Sequence, residues 1–253
     1  MLLEVNNLCK SFGGIKAVQN VGLMVDSNQI VSIIGPNGAG KTTILNLISG
    51  IYRSDSGKIT FNGEDIFKME QYKISRLGIA RTFQNVRLFK GLTVIENLLT
   101  SCDPTAKYNL FETLLGMPSR RRIDRANKEK CMKYLQMVGL ENYRDEHPEN
   151  LPYGLQRRVE LARTLSCNPK LIMLDEPAAG LNPSEVVEFI DLISNFRDRF
   201  SFGILIIEHR MRVINKLSDY VYVLNFGELL AHGLPEHIRN NPDVIKAYIG
   251  EES

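Results

Sequence analysis

The chain has 253 residues, 43% hydrophobic and 24% charged, with Lys+Arg 31 against Asp+Glu 29 for a formal net charge of +2. That balance excludes a strong field pulling on nucleic acid or anionic lipid, and the length suffices for one large core or two small ones. Cys9, Cys102, Cys131 and Cys167 are scattered without C-x-x-C spacing, which argues against a zinc site or metal cluster and for ordinary reduced cysteines.

The start, Met1-Leu-Leu-Glu4, has no basic leader or long apolar segment, and no apolar run approaches membrane-spanning length. The expectation is a soluble chain whose membrane link runs through a partner. Residues 2–8, 17–25 and 58–61 read as short strands, with Asn62-Gly63 a strong hairpin turn, so an antiparallel flank is expected. Between them, the apolar run Ile30, Val31, Ile33, Ile34 leads into Gly35, Pro36, Asn37, Gly38, Ala39, Gly40, Lys41, Thr42 and Thr43, which matches G-x-x-x-x-G-K-[ST]. A helical pattern (Ile44, Leu45, Leu47, Ile48) follows. Such glycines let backbone N–H groups turn onto phosphate oxygens, and the helix presents its positive end to the same anion. The segment predicts a nucleoside triphosphate, with Lys41 on the β- and γ-phosphates and Thr42 on Mg²⁺.

From about 93 to 165 the pattern turns helical: Thr93 and Glu96 form a capping box, and Ile123, Ala126, Lys130 and Tyr134 recur at helical spacing. The basic run Arg120-Arg-Arg122 reads as the solvated start of a helix. Apolar runs at 31–34, 171–174 and 204–207, each followed by loop residues and a helical pattern, imply a largely parallel α/β sheet. Asn182, Pro183 and Glu185 supply an N-cap, N1 proline and N3 acid for another helix. The organisation expected is one domain, 1–253, with a core at about 1–87 and 166–253 and an inserted helical subdomain at about 88–165.

The run at 170–174 ends in adjacent carboxylates, which suits one to the Mg²⁺ shell and the other to an attacking water. Asp175 is the metal-side residue and Glu176 the general base. The order of the phosphate loop, Gln84, residues 151–156, Asp175-Glu176 and His209 resembles the ATP-binding subunit of an ABC transporter along essentially the whole chain. The resemblance implies a P-loop NTPase (RecA-like) α/β core with the antiparallel flank and helical insertion, and ATP with Mg²⁺ as ligands. It implies that Phe12 stacks on adenine, that Gln84 touches Mg²⁺ and moves with the membrane partner, and that His209 holds the γ-phosphate. The family's Leu-Ser-Gly-Gly-Gln signature corresponds to Leu151-Pro-Tyr153-Gly154-Leu155, of which only Leu151 and Gly154 match; the resemblance implies that Tyr153 and Gly154 face the nucleotide of an opposite subunit. Asn182 is similar to the loop that crosses the dimer interface. Arg210 stands where an acid is common.

Residues 78–89, Tyr153-Gly154, 175–183 and the tail from Asn241-Pro242 to Ile249-Gly250 look most like the branch that imports branched-chain amino acids. The resemblance implies a peripheral subunit on the cytoplasmic face of the inner membrane, bound to integral permease subunits and to a second ATP-binding subunit, as homodimer or heterodimer, with no nucleic acid. The alternative is a soluble ABC-type ATPase of translation or DNA repair; such proteins usually carry two cassettes or a coiled-coil insertion, and this sequence has neither. A GTPase switch would need Asn-Lys-x-Asp, and the nearest segment, Asn215-Lys-Leu-Ser218, lacks the acid.

Overall fold

The structure, a computed structural model, describes residues 1–102 and 118–249. The chain forms two compact units, Met1–Gln84 with Lys170–Ser253, and Asn85–Pro169. The first unit opens with β1 (Leu3–Phe12), β2 (Ile15–Val25), β3 (Ile30–Ile34), α1 (Lys41–Ile48), β4 (Ser56–Phe61), β5 (Glu64–Asp65), α2 (Gln71–Leu77) and β6 (Ile79–Arg81). The second unit contains α3 (Val94–Leu99), α4 (Pro118–Met137) and α5 (Tyr153–Ser166). The first unit then resumes with β7 (Leu171–Asp175), α6 (Pro183–Arg199), β8 (Gly203–Ile207), α7 (Met211–Leu217), β9 (Tyr220–Asn225), β10 (Glu228–Gly233), α8 (Pro235–Arg239) and α9 (Pro242–Ile249).

Two sheets organise the first unit. One is four-stranded in the order β2-β1-β4-β5 with antiparallel pairings, and the other six-stranded in the order β10-β9-β3-β8-β7-β6. All neighbours in the second run parallel except the β10 edge. Every residue of β3, β7 and β8 is buried because both faces are covered, so apolar side chains are favoured at consecutive positions. On one face Val31, Ile33, Met173, Leu205 and Ile207 pack with Ile44, Leu45 and Ile48 of α1 and with Leu3, Val5 and Phe61 of the antiparallel sheet. On the other, Ile34, Val221 and Val223 pack with Ile214, Ile238 and Val244 from the three C-terminal helices.

The strand β1 runs four residues past the expected 2–8, and β2 begins at Ile15 rather than 17. The two are joined by Gly13-Gly14, both at positive φ (52° and 90°), a two-residue hairpin turn. Register shifts after Val5, Leu8 and Lys10 break the alternation that reveals a strand in sequence.

In the second unit α3, α4 and α5 pack on one another, with short 3₁₀ turns at Glu141–Tyr143 and Pro148–Asn150. The Thr93/Glu96 capping box forms at the start of α3, and the fully buried Asn97 ties the preceding loop by donating to the carbonyls of Phe89, Leu92 and Thr93. The helical spacing from Ile123 marks a helix, but Ile123 is exposed and the buried face of α4 begins at Cys131. Arg122 is exposed; the side chains of Arg120 and Arg121 lie outside the described residues. Cys102 and Cys131, which sequence spacing separates, bring their sulfurs to 3.1 Å as free thiols. The Cys102 sulfur and burial together push the Cys131 thiol above its ordinary range.

Because Ile33 is fully buried at the centre of the larger sheet, Ile33→Ala should cost about 2–5 kcal/mol of stability. Urea denaturation followed by circular dichroism measures it; a loss below about 0.5 kcal/mol would contradict a close-packed core there.

Candidate functional site

Parallel registration brings four loops to one edge of the larger sheet. Ile33 pairs with Ile207, Asp175 with Ile207, and Arg81 with Met173, so β3, β8, β7 and β6 end together. The residues that follow them are Gly35 to Gly40, Glu208 to Arg210, Glu176, and Thr82 to Gln84. Crevices outside the carboxyl ends of parallel strands are where open α/β sheets bind ligands.

The phosphate loop is shaped by close approach. A Cβ on Gly35 would lie 2.1 Å from the Leu224 carbonyl oxygen, and one on Gly40 would lie 2.4 Å from that of Ala17, with Gly40 at φ +97°. Gly40 caps α1 without a side-chain acceptor, and the first turn holds no acid, so the leading N–H groups keep their positive end for an anion. Lys41 is buried, its Nζ donating to the carbonyls of Gly35 and Pro36 at 2.7 Å each. This holds its ammonium over the loop that Pro36, Asn37, Gly38 and Ala39 complete. Thr42 is exposed and Thr43 half-buried on the first turn of the helix.

At the end of β7, Asp175 is buried and accepts from Nη2 of Arg81 at 2.8 Å. Glu176, next in line, adopts the left-handed region at φ +47°, which is strained for a residue with a side chain. Its N–H donates to the Ile207 carbonyl. Its carboxylate is clasped on both oxygens: Nε2 of Gln84 donates to Oε2 at 2.9 Å, and Nε2 of His209 lies 2.7 Å from Oε1. With the carboxylate accepting, Nε2 of His209 carries the proton. Gln84, Glu176 and His209, separated by long stretches of chain, thus form one hydrogen-bonded group. Thr42, Gln84 and Asp175 offer hydroxyl, amide and carboxylate oxygens, a hard donor set suited to Mg²⁺.

Phe12 is 41% exposed beside the Gly-Gly turn, edge-on to Tyr52 at 5.2 Å between centroids, with the Lys10 ammonium 5.3 Å from its ring. Tyr153 and Gly154 belong to the second unit, at the first turn of α5. Pro152 caps that helix without a side-chain bond, Tyr153 is exposed, and the Arg157 guanidinium lies 5.6 Å from its ring. Asn182 caps α6, accepting from the N–H groups of Ser184 and Glu185.

Three residues gain roles that their sequence context left unassigned. Glu208, almost fully buried, accepts from the N–H of Ala178 at 2.9 Å and from those of His209 and Arg210. Both Arg210 terminal nitrogens donate to the Leu181 carbonyl at 3.2 Å. These bonds join the loop carrying His209 to the loop between Glu176 and Asn182. Arg81 is the third. For Arg81 and Glu208 the available signal was a charged residue at the end of, or directly after, an apolar strand.

The protein-family pattern described as ABC transporter matches residues 18–179, and that of the branched-chain amino acid ATP-binding cassette transporter matches 228–253. The chain belongs to the ABC transporter family. This cassette is 47% identical over 250 residues to the high-affinity branched-chain amino acid transport ATP-binding protein LivG of Salmonella typhimurium, covering 99% of this chain and 98% of the relative. It is 46% identical, with the same coverages, to BraF of Pseudomonas aeruginosa, a protein of the same description. A crystal structure of a nucleotide-free ATP-binding cassette from an ABC transporter superposes with a TM-score of 0.85 at 31% identity, over 98% of this chain and 99% of that one. As a family member the cassette is an ATPase subunit of a transporter, and no helix among the described residues is long and apolar enough to cross a membrane.

Lys41→Ala removes a charge-assisted donor from the phosphate loop, so ATP affinity should fall roughly tenfold to a hundredfold while the fold persists. Titration with a fluorescent ATP analogue checks this; parental affinity in the folded variant would overturn the phosphate-loop assignment.

Proposed function

We propose that this cassette hydrolyses ATP to power uptake of branched-chain amino acids through separate integral membrane subunits, as a peripheral protein on the cytoplasmic face of the inner membrane. The observation that carries the catalytic reading is the clasp on Glu176. A carboxylate fixed on both oxygens at the strand edge, one residue after Asp175, is oriented to accept a proton from the water that attacks the γ-phosphorus. His209 then turns from Glu176 to the γ-phosphate as the nucleotide seats. Lys41 exchanges two backbone carbonyls for phosphate oxygens, and Phe12 covers the adenine. Mg²⁺, held through Thr42, Gln84 and Asp175, would neutralise charge on the phosphate oxygens.

The site is composite in this reading. Tyr153 and Gly154 of a second subunit close on the γ-phosphate, using the uncapped start of α5 as their anion-binding end. ATP is therefore the ligand that favours the closed dimer, and its hydrolysis releases that preference. The membrane subunits dock on the surface between Gln84 and Glu96, where Asn97 fixes the loop and Arg87 and Phe89 are exposed. The substrate class is supported by the two relatives and the C-terminal pattern.

Glu176→Gln keeps the shape but cannot accept the proton, so steady-state hydrolysis should vanish while ATP binding persists. Light scattering should find that variant dimeric with ATP and monomeric with ADP or no nucleotide; substantial turnover, or an equally tight dimer without nucleotide, would defeat the reading. Arg87→Glu should lower leucine uptake in cells more than the ATPase rate of the free subunit. In a strain lacking this subunit and any redundant importer, unchanged saturable uptake of leucine, isoleucine and valine would remove the substrate assignment alone.

A further inference from the structure

Arg81 closes β6, three positions before Gln84, and its side chain is 7% exposed against 5% for Asp175. Its two terminal nitrogens divide their bonds. Nη2 donates to Oδ2 of Asp175 at 2.8 Å, while Nη1 donates to Oδ1 of Asn46 at 2.7 Å and to Oγ of Ser49 at 3.2 Å. Asn46 and Ser49 lie on and just after α1, the helix that the phosphate loop opens. The guanidinium carbon stands 5.2 Å from the centre of the Phe83 ring, and the buried Nε has no hydrogen-bond partner.

A buried ion pair contributes little to stability, since desolvation consumes most of the Coulombic gain, and the unpartnered Nε adds a further cost. A packed apolar pair would serve the fold as well. The need that Arg81 meets belongs to Asp175. A carboxylate placed to serve a metal that arrives and leaves with nucleotide is buried and uncompensated for part of every cycle.

We propose that Arg81 is the exchangeable counter-ion of Asp175, a positioning residue that neutralises and orients this carboxylate between nucleotides. Its bond engages Oδ2 of Asp175 and takes nothing from Oδ1. Through Asn46 and Ser49 the same guanidinium ties the carboxylate to the phosphate-loop helix, and through the backbone to the strand that ends at Gln84. The cation also protects the site from binding a divalent metal without nucleotide. This inference rests on the assignment of Asp175 to the metal side.

The test uses the full chain without nucleotide and Mn²⁺ as a paramagnetic probe, with Mg²⁺-dependent thermal unfolding alongside. The parent should bind Mn²⁺ weakly and show no shift of its unfolding midpoint with Mg²⁺ alone. Arg81→Met should bind Mn²⁺ roughly tenfold tighter or more, because a unit charge has left the carboxylate, and its lowered midpoint should rise with Mg²⁺. Adding Asp175→Asn to Arg81→Met should erase the Mn²⁺ gain and recover most of the lost stability. An Arg81→Met protein that gains no Mn²⁺ affinity overturns the proposal. If that variant does not fold, the double variant decides: folding supports the counter-ion role, and failure to fold assigns Arg81 to packing and overturns it. Asp175→Asn alone separates the two claims. Unchanged Mn²⁺ affinity in its ATP complex removes Asp175 from the metal side, whereas lowered affinity there with no gain in Arg81→Met defeats the counter-ion proposal only.

Discussion

The parallel register of β3, β8, β7 and β6 is the constraint on which the nucleotide site depends. Because Ile207 stands opposite both Ile33 and Asp175, the chain leaves the sheet at one level on neighbouring strands. A slip of one residue would turn each strand's side chains to the opposite face and carry Glu176 away from His209. The register is held by burial of both faces, where five consecutive buried residues on each of the three central strands leave little room for an alternative pairing. Stability of the core and geometry of the site are thus the same set of contacts.

Around that edge, polar groups are bound in chains rather than as isolated pairs. Gln84 and His209 hold Glu176, Glu208 holds the N–H of Ala178, and Arg210 holds the carbonyl of Leu181. These bonds tie the loops that carry Glu176 and His209 to the loop that ends at Asn182. The left-handed backbone at Glu176 is the strained member of this arrangement, and it is retained where the carboxylate must face two partners at once. Asymmetry between the oxygens matters too: both of Glu176 are engaged, while the bond from Arg81 takes one oxygen of Asp175. In the proposed mechanism that difference suits Glu176 to proton transfer and Asp175 to a ligand that comes and goes.

Arg210, where the sequence resemblance sets an acid as the expectation, has a physical role of its own. An acid at that position could not donate to the Leu181 carbonyl, whereas the guanidinium does so twice. The buried Glu208 beside it supplies the matching acceptor for the other end of the same loop. Together the two residues tie the loop carrying His209 to the loop between Glu176 and Asn182.

By itself the sequence determined the phosphate loop, the three buried strands, the paired carboxylates, both capping boxes and the family, since each is written in adjacent residues or in short fixed spacing. Local rules reach that far because turn chemistry, capping and periodicity act within a few residues. The extended β1–β2 hairpin escaped them, since its bulges interrupt the period of two. What only the tertiary structure decided lies in contacts between distant segments: Gln84 and His209 on Glu176, Arg81 on Asp175 and Asn46, Arg210 on Leu181, and the meeting of Cys102 with Cys131. No spacing encodes such meetings. They follow from which strands lie side by side and in what register, a choice made by burial summed over the whole core.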